Sequence, residues 1–249
     1  ALIRATLPPS QVLTLRLTAE HTTIPISVEG LTLRNGLHNG QPWSYASGLT
    51  ILGTINTALA ISADRVIAHS NTSTIDIVPV VSLSSDDQFV RFSNSIVRHN
   101  STRNAPAINI HSNDGGSALN GLSVLYNART GMGSSIEWTG PAPGQLNASV
   151  VFGNTGGIGD LAGFGRIQYT GLRYGTLSGY PASGSSNNFA ISDPLFLSTT
   201  TARPQTGSSL HDALPAGSGV GAQDVYGQPR DLGGRTDVDG KRIAALGLS

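Results

Sequence analysis

The sequence contains no cysteine, a single lysine (Lys241) and equal numbers of acidic and basic residues, 15 of each. Without cysteine the chain can form neither a disulfide nor a thiolate metal site. With a formal net charge of zero at pH 7, it lacks the basic footprint of a nucleic-acid-binding protein. No apolar run approaches the roughly 18 residues that a membrane-spanning helix needs. These absences predict a protein with no nucleic-acid partner and no membrane span.

Glycine, by contrast, is abundant at 31 residues, while hydrophobic residues make up only 38% of the chain. This composition favours short strands and turns over helices. The apolar content is low for a compact globule, but a solenoid tolerates it because each coil buries only a thin central stack. A length of 249 residues is compatible with one all-β domain.

A repeated pattern occupies residues 92–100, 119–127 and 146–154. Each segment has an apolar residue, a turn of small or amide residues, a second apolar residue five places later and an asparagine three places after that. The second apolar residues, Val97, Val124 and Val151, are spaced by 27 residues. A fixed period of this size on β-branched residues predicts a solenoid of strands.

The repeat extends into three apolar ladders, one for each strand of a coil. The first contains Val28, Phe92, Leu119 and Leu146, with Ser62 or Ile61 in the intervening coil; the second contains Leu33, Ile67, Val97, Val124 and Val151; the third contains Ile51, Leu83, Ile110 and Trp138. Three strands per coil, with like residues stacked on the next coil, predict an all-β fold, a parallel β-helix.

The chain divides into two parts that differ in periodicity and composition. Residues 1–190 are predicted to form the coils, and residues 191–249, which are rich in proline and glycine, are predicted to be an irregular segment packed on the helix. A strand pattern already begins at residue 11, with no recognisable N-terminal cap before it. Terminal repeats of solenoids need caps. We therefore expect that the chain is a processed or partial piece, or that a second copy or another chain covers this end.

Three segments after the coils carry a family resemblance: Asn-Phe-Ala-Ile-Ser-Asp-Pro-Leu-Phe at 188–196, Arg-Pro-Gln-Thr-Gly-Ser-Ser-Leu-His-Asp-Ala at 203–213 and Asp-Val-Tyr-Gly-Gln-Pro-Arg at 224–230. Their order resembles the closing signature of bacterial right-handed parallel β-helix proteins with a choice-of-anchor Q domain. Ser209 and His211 depart from that signature, which has Pro and Ile there. The resemblance implies a right-handed helix and a secreted or surface-anchored bacterial protein, but no single activity.

One candidate site is a group of carboxylates. Asp87 and Asp114 each lie four residues after a third-ladder position, so they are predicted to stack at one turn, with Asp86 nearby. Like charges one coil apart raise one pKa or need a cation. The hypothesis is a calcium site or an acid/base pair, and the alternative is solvated aspartates in turns.

A second candidate site is a column of polar and aromatic residues. It contains Asn35, His69, His99 and Tyr126, and it is flanked by Arg34 and Arg98. Aromatic and cationic groups along a groove are suited to an acidic sugar chain, through stacking and charge-assisted hydrogen bonds. The alternative is that these residues are ordinary surface.

A third set, Asn100, Asn127 and Asn154, follows the second ladder at every coil. Stacked amides can donate to one another and satisfy a buried turn. These residues are therefore predicted to form a structural ladder with no ligand.

The function that follows from these patterns is a non-catalytic extracellular or cell-surface protein that has a structural, adhesive or assembly role and binds polysaccharide. The alternative is a lyase or glycoside hydrolase acting on an acidic polysaccharide. The candidate catalytic residues for such an enzyme are limited to Arg34, Arg98 and the aspartate pair. No cofactor other than calcium is indicated.

Overall fold

The computed structural model describes residues 13–17, 25–38, 46–53, 60–86, 88–131, 134–156, 159–173 and 185–196, together with 198, 205, 208–210, 214–215, 225 and 235–236. The predicted absence of an N-terminal cap and most of the predicted covering segment lie outside these residues. Every regular element in the described part of the chain is a β-strand.

The 25 strands, in chain order, are β1 Leu13–Leu17, β2 Ile26–Glu29, β3 Thr32–Arg34, β4 Leu37–His38, β5 Leu49–Gly53, β6 Ile61–Asp64, β7 Ile67–His69, β8 Thr72–Ser73, β9 Val81–Ser85, β10 Val90–Ser93, β11 Ile96–Arg98, β12 Ser101–Thr102, β13 Ile108–Ser112, β14 Ala118–Asn120, β15 Ser123–Leu125, β16 Ala128–Arg129, β17 Ser134–Trp138, β18 Gly144–Asn147, β19 Val150–Phe152, β20 Gly159–Ala162, β21 Phe164–Gln168, β22 Gly171–Arg173, β23 Phe189–Ile191, β24 Leu214–Pro215 and β25 Arg235–Thr236.

The strands β1 to β23 form four parallel sheets, which the coils visit in turn, and β24 and β25 form a separate antiparallel pair. The first sheet has the order β1-β5-β9-β13-β17-β20, the second β2-β6-β10-β14-β18-β21, the third β3-β7-β11-β15-β19-β22-β23 and the fourth β4-β8-β12-β16. Each strand pairs with its counterpart in the next coil. This topology is a parallel β-helix and confirms the predicted fold class, whereas the right-handed sense stays a prediction.

The coil has one strand more than the sequence pattern predicts. The strands of the fourth sheet, such as Ser101–Thr102, are only two residues long. They follow the asparagine turn of each coil and contain no apolar alternation. Such a short strand carries no periodic signal, so the sequence pattern shows only three strands per coil.

The inward residues of the coils stack in the interior. Ile51, Leu83, Ile110 and Trp138 pair in register in the first sheet, as the third ladder predicts. All four are buried in one hydrophobic cluster that runs through the coils. Each Å² of apolar surface removed from water contributes about 25 cal/mol to stability. This stack is therefore the main stabilising term of the helix.

The first two ladders are wrong in the second coil. The inward residues there are Ala63, which pairs with Val28 and Phe92, and Ala68, which pairs with Leu33 and Val97. Ser62 and Ile67 are the neighbouring residues and face outward. A slip of one residue exchanges the two faces of a strand, and the larger apolar side chain of Ile67 favours the wrong register in the sequence.

A single left-handed residue makes each bend on either side of the third sheet. Asn35, Ser70, His99 and Tyr126 have φ between 49° and 58° at the bend that follows this sheet, and Gly153 has φ 68° at the same place. This region is sparsely populated by residues other than glycine. Because the bend is so short, the residues around it hold fixed positions in every coil.

The asparagines that follow this bend form a buried ladder. Nδ2 of Asn100 donates to Oδ1 of Asn127 (2.8 Å), and Nδ2 of Asn127 donates to Oδ1 of Asn154 (2.9 Å). The same Oδ1 atoms accept the backbone N–H groups of Asn100 (3.1 Å) and Asn127 (2.9 Å). The ladder also includes Asn71, whose Nδ2 donates to Oδ1 of Asn100 (2.9 Å).

Each amide also closes its own turn through a backbone carbonyl. Nδ2 of Asn127 donates to the carbonyl oxygen of Val97 (2.9 Å), and Nδ2 of Asn154 donates to that of Val124 (3.0 Å). All the polar atoms of the Asn127 side chain are therefore satisfied inside the protein. Buried amides with complete hydrogen bonding stabilise a turn that would otherwise bury open backbone groups.

We expect the substitution Asn127→Ala to lower the free energy of unfolding by about 3 kcal/mol, because it leaves the buried N–H of Asn100 and the carbonyl of Val97 without their partner. Urea unfolding followed by circular dichroism measures the loss. Asn113→Ala, at an exposed turn, is the matched control and should change stability by less than about 0.5 kcal/mol. Equal effects of the two substitutions would contradict a structural role for the ladder.

Candidate functional site

The outer face of the third sheet carries the candidate site. The last residue of each strand in this sheet from β3 to β22 points outward, because the residue before it is packed in or against the core. Ile191 of β23 continues the series by pairing with Arg173. We call these residues the outer row: Arg34, His69, Arg98, Leu125, Phe152, Arg173 and Ile191. Neighbouring members are one strand spacing apart, about 4.8 Å.

The structure places the predicted polysaccharide contacts in two rows. His69 lies in the outer row between Arg34 and Arg98. Ser70 takes the next position, at the bend that Asn35 and His99 also occupy. The prediction that His69 shares a column with His99 is therefore wrong, and the cause is the same one-residue slip that misplaces Ile67.

The beginning of the outer row is cationic. Arg34 is exposed and forms no ion pair with any residue that the structure describes. The pKa of His69 is lowered, first by burial and then by the charges of Arg98, Arg34 and His99. A histidine whose pKa is lowered by cations lies in a positive potential. In Arg98, by contrast, Nε and Nη1 are buried, so part of its charge acts from beneath the surface.

The middle of this face is aromatic. His99 stacks on Tyr126 with ring centroids 5.4 Å apart and an interplanar angle of 10°. Phe152 and Phe196 meet Tyr126 edge-on at 6.1 and 6.3 Å. Burial and the charge of Asp193 raise the pKa of Tyr126. With neighbours around its ring, Tyr126 is a packing residue and offers little surface on which a sugar can stack.

Residues of the C-terminal segment cover this middle part. Leu210 is fully buried in a cluster with Leu125, Val150 and Ile191, and Phe196 packs against the same cluster. The segment is held by its own hydrogen bonds, including Ser208 Oγ to the carbonyl of Pro194 (2.6 Å). The cover therefore separates the cationic beginning of the outer row from its far end.

A cavity of about 460 Å³ lies at the far end of the outer row. It is lined by Phe152, Gly153, Asn154, Thr155, Arg173, Ile191 and Ser192. The sequence pattern missed Arg173 because its coil is short: only 21 residues separate it from Phe152. Matching the Gly-Leu-Arg of β22 with the Val-Val-Phe of β19 would have placed it in the outer row.

Asp160 lies next to this cavity in the interior. Its carboxylate accepts hydrogen bonds from the Asn154 side chain and from Ser135 Oγ (3.5 Å). Burial raises the pKa of Asp160, while Arg173 and Arg129 act in the opposite direction. A buried carboxylate is costly to ionise even when cations are near, so Asp160 favours the protonated form more than an exposed aspartate does.

The predicted calcium ligands are used for other contacts. Oδ1 of Asp86 lies 3.3 Å from Nε2 of His111. Oδ1 of Asp114 accepts the backbone N–H of Gly116 (2.6 Å). Asp87 lies outside the described residues, and within them no group of three acidic or histidine residues could hold a metal. A calcium site at this turn stays a prediction.

The class that the geometry defines is a parallel β-helix with a cationic and aromatic outer face. Comparisons with models of protein families, with curated proteins and with solved structures found no match. The resemblance to choice-of-anchor Q proteins therefore stays a prediction. No helix in the described part of the chain is long and apolar enough to cross a membrane.

We expect the stability of the protein to fall as the pH rises through the folded-state pKa of Asp160. The unfolded carboxyl ionises with a pKa near 3.8, whereas the folded one ionises at higher pH. The stability contributed by protonated Asp160 is therefore complete below pH 3.8 and is lost as the pH rises from 3.8 through the folded-state pKa. Asp160→Asn should remove this part of the pH dependence. Urea unfolding between acidic and neutral pH measures it, with the exposed Asp76→Asn as control. A wild-type slope retained in Asp160→Asn would contradict the assignment.

The position of the Tyr126 ring should depend on the absence of a side chain at Gly153 beside it. A Cβ at Gly153 would lie 2.5 Å from Cδ1 of Tyr126, and the backbone there has φ 68°. Gly153→Ala should therefore cost about 2 kcal/mol of stability and disturb the His99–Tyr126 stack. Thermal melting and the ring resonances of His99 report the two effects. Gly115→Ala, where a Cβ meets nothing within 4 Å, should leave both unchanged; if it does not, local crowding is not the cause.

Proposed function

We propose that this protein is a non-catalytic, extracellular or cell-surface β-helix protein that binds an acidic polysaccharide. The observation that carries the proposal is the alignment of Arg34, His69 and Arg98 in the outer row. The resemblance of residues 188–196, 203–213 and 224–230 to choice-of-anchor Q proteins supports a secreted, surface-associated location.

The geometry of the row suits an extended anionic chain. Arg34 and Arg98 are two coils apart, which corresponds to about 9.6 Å. Their charges, together with His69 between them, make a linear positive strip, and a polymer with a carboxylate on each sugar matches such a strip along its length. Arg34 is exposed and can form bidentate hydrogen bonds to a carboxylate.

The aromatic middle part supports binding over bond cleavage. A lyase needs a base beside the sugar ring. Tyr126 lies one residue past the outer row, but burial and Asp193 raise its pKa, so less of it is in the phenolate form that acts as a base. Its ring is also packed against His99 and Phe196. These contacts fit a rigid support for the strip.

Binding of polygalacturonate and alginate, compared with the neutral polymer dextran, tests the proposal. The wild type should bind both acidic polymers, more weakly at high salt because the attraction is electrostatic. Arg34→Gln should weaken binding about tenfold, the cost of one charge-assisted contact. Arg91→Gln, which removes an exposed arginine on the second sheet, should not change it.

Three outcomes would count against the proposal. Equal binding of dextran would remove the role of charge, and unchanged affinity of Arg34→Gln would place the ligand elsewhere. Release of unsaturated or reducing sugar ends during the incubation would favour the alternative, an enzyme acting on acidic polysaccharide.

A further inference from the structure

The far end of the outer row has the features of a small-ligand site. The cavity of about 460 Å³ lies within the size range of about 300–1,000 Å³ that is usual for small-molecule pockets. We propose that this cavity binds a single hexuronic acid unit, with its carboxylate on Arg173 and its ring against Phe152. The inference deepens the proposed function and rests on it for the class of ligand.

The charge of the cavity comes from Arg173. This residue is the last of β22 and is exposed. It interacts electrostatically with the carboxyl of Asp160 in the interior. A guanidinium has five N–H donors in a fixed fork, so one arginine can serve more than one acceptor, and a ligand carboxylate at the mouth can be one of them.

A sugar ring also needs an apolar surface, and Phe152 and Ile191 provide one. Phe152 is half-buried and Ile191 is buried in the outer hydrophobic cluster, so both are held in place. Phe152 is further fixed by its edge contact with Tyr126. A rigid aromatic surface fits the C–H face of a pyranose at a low cost in conformational entropy.

Hydroxyl groups at the rim complete the set. Thr155 and Ser192 are exposed and line the cavity, where each can donate to or accept from a sugar hydroxyl. The carboxylate of Asp193, which follows Ser192, accepts the backbone N–H of Leu195 through Oδ1 (2.8 Å). An apolar wall, a cation and two hydroxyls together match a uronic acid better than a neutral sugar or a simple anion.

The cavity is separate from the cationic strip. Arg98 and Arg173 are three coils apart, about 14 Å, and the C-terminal cover packs on the residues between them. A polysaccharide that lies on Arg34 and His69 therefore does not reach the cavity in a straight line. The cavity selects one sugar unit, whereas the strip selects a chain.

Titration of the full chain with free galacturonate, its methyl ester and galactose, followed by saturation-transfer NMR, tests the inference. Galacturonate should bind, and its ring protons should receive saturation from the protein. The methyl ester and galactose should bind at least about tenfold more weakly, because they lack the charge. This comparison uses the unmodified protein, so it does not depend on the folding of a variant.

Two variants locate the site. Arg173→Gln should weaken galacturonate binding about tenfold, whereas Arg166→Gln, an exposed arginine on β21 of the same coil, should not. Arg34→Gln should leave monosaccharide binding unchanged, which separates the cavity from the strip. Equal binding of galactose, or wild-type affinity in Arg173→Gln, would overturn the inference. If polymer binding depends on Arg34 while free galacturonate does not bind, the proposed function stands and the cavity assignment falls.

Discussion

Every coil of this protein is completed by the next one. The parallel sheets leave the backbone groups of each strand to be paired by the neighbouring coil, and the buried asparagines extend the same dependence to side chains. A polar group that is buried without a partner costs more than a satisfied one contributes. Registration between coils is therefore the constraint on which the interior stack, the bends and the outer face all depend.

The outer face follows from this registration. Because inward and outward residues alternate, fixing Val97 and Val124 in the core also fixes Arg98 and Leu125 outside. The chemistry of the face can then change from coil to coil while the backbone stays the same. The outer row begins with charge, continues with aliphatic and aromatic side chains beneath the cover, and ends with Arg173 and Ile191.

The sequence predicts the coils where the spacing is regular and fails where it is not. The 27-residue spacing places Val97, Val124 and Val151 correctly. In the second coil the small inward residues Ala63 and Ala68 are less conspicuous than their larger neighbours, and the predicted register slips by one. Hydrophobicity identifies a face only when the inward side chains are the larger ones.

The candidate site is less visible in the sequence than the fold. Arg34, His69 and Arg98 stand out by residue type, but the enclosure of Tyr126 depends on Phe196, which lies 70 residues further along the chain. The cavity combines the ends of β19, β22 and β23 with the residues that follow β19 and β23, and their separations differ from the regular period. Contacts made by a C-terminal segment that folds back over the coils have no periodic trace.

The asparagine ladder has a direction. Each amide donates towards the next coil and accepts from the previous one, so the amide dipoles of Asn71, Asn100, Asn127 and Asn154 add up along the axis. The positive end of this macrodipole lies at Asn154, where the carboxylate of Asp160 accepts the last side-chain hydrogen bond. The positive end of an aligned series of dipoles favours a hydrogen-bond acceptor, as the start of a helix does. The carboxyl group of Asp160 supplies that acceptor, and every asparagine-bearing coil in front of it lengthens the series that it terminates.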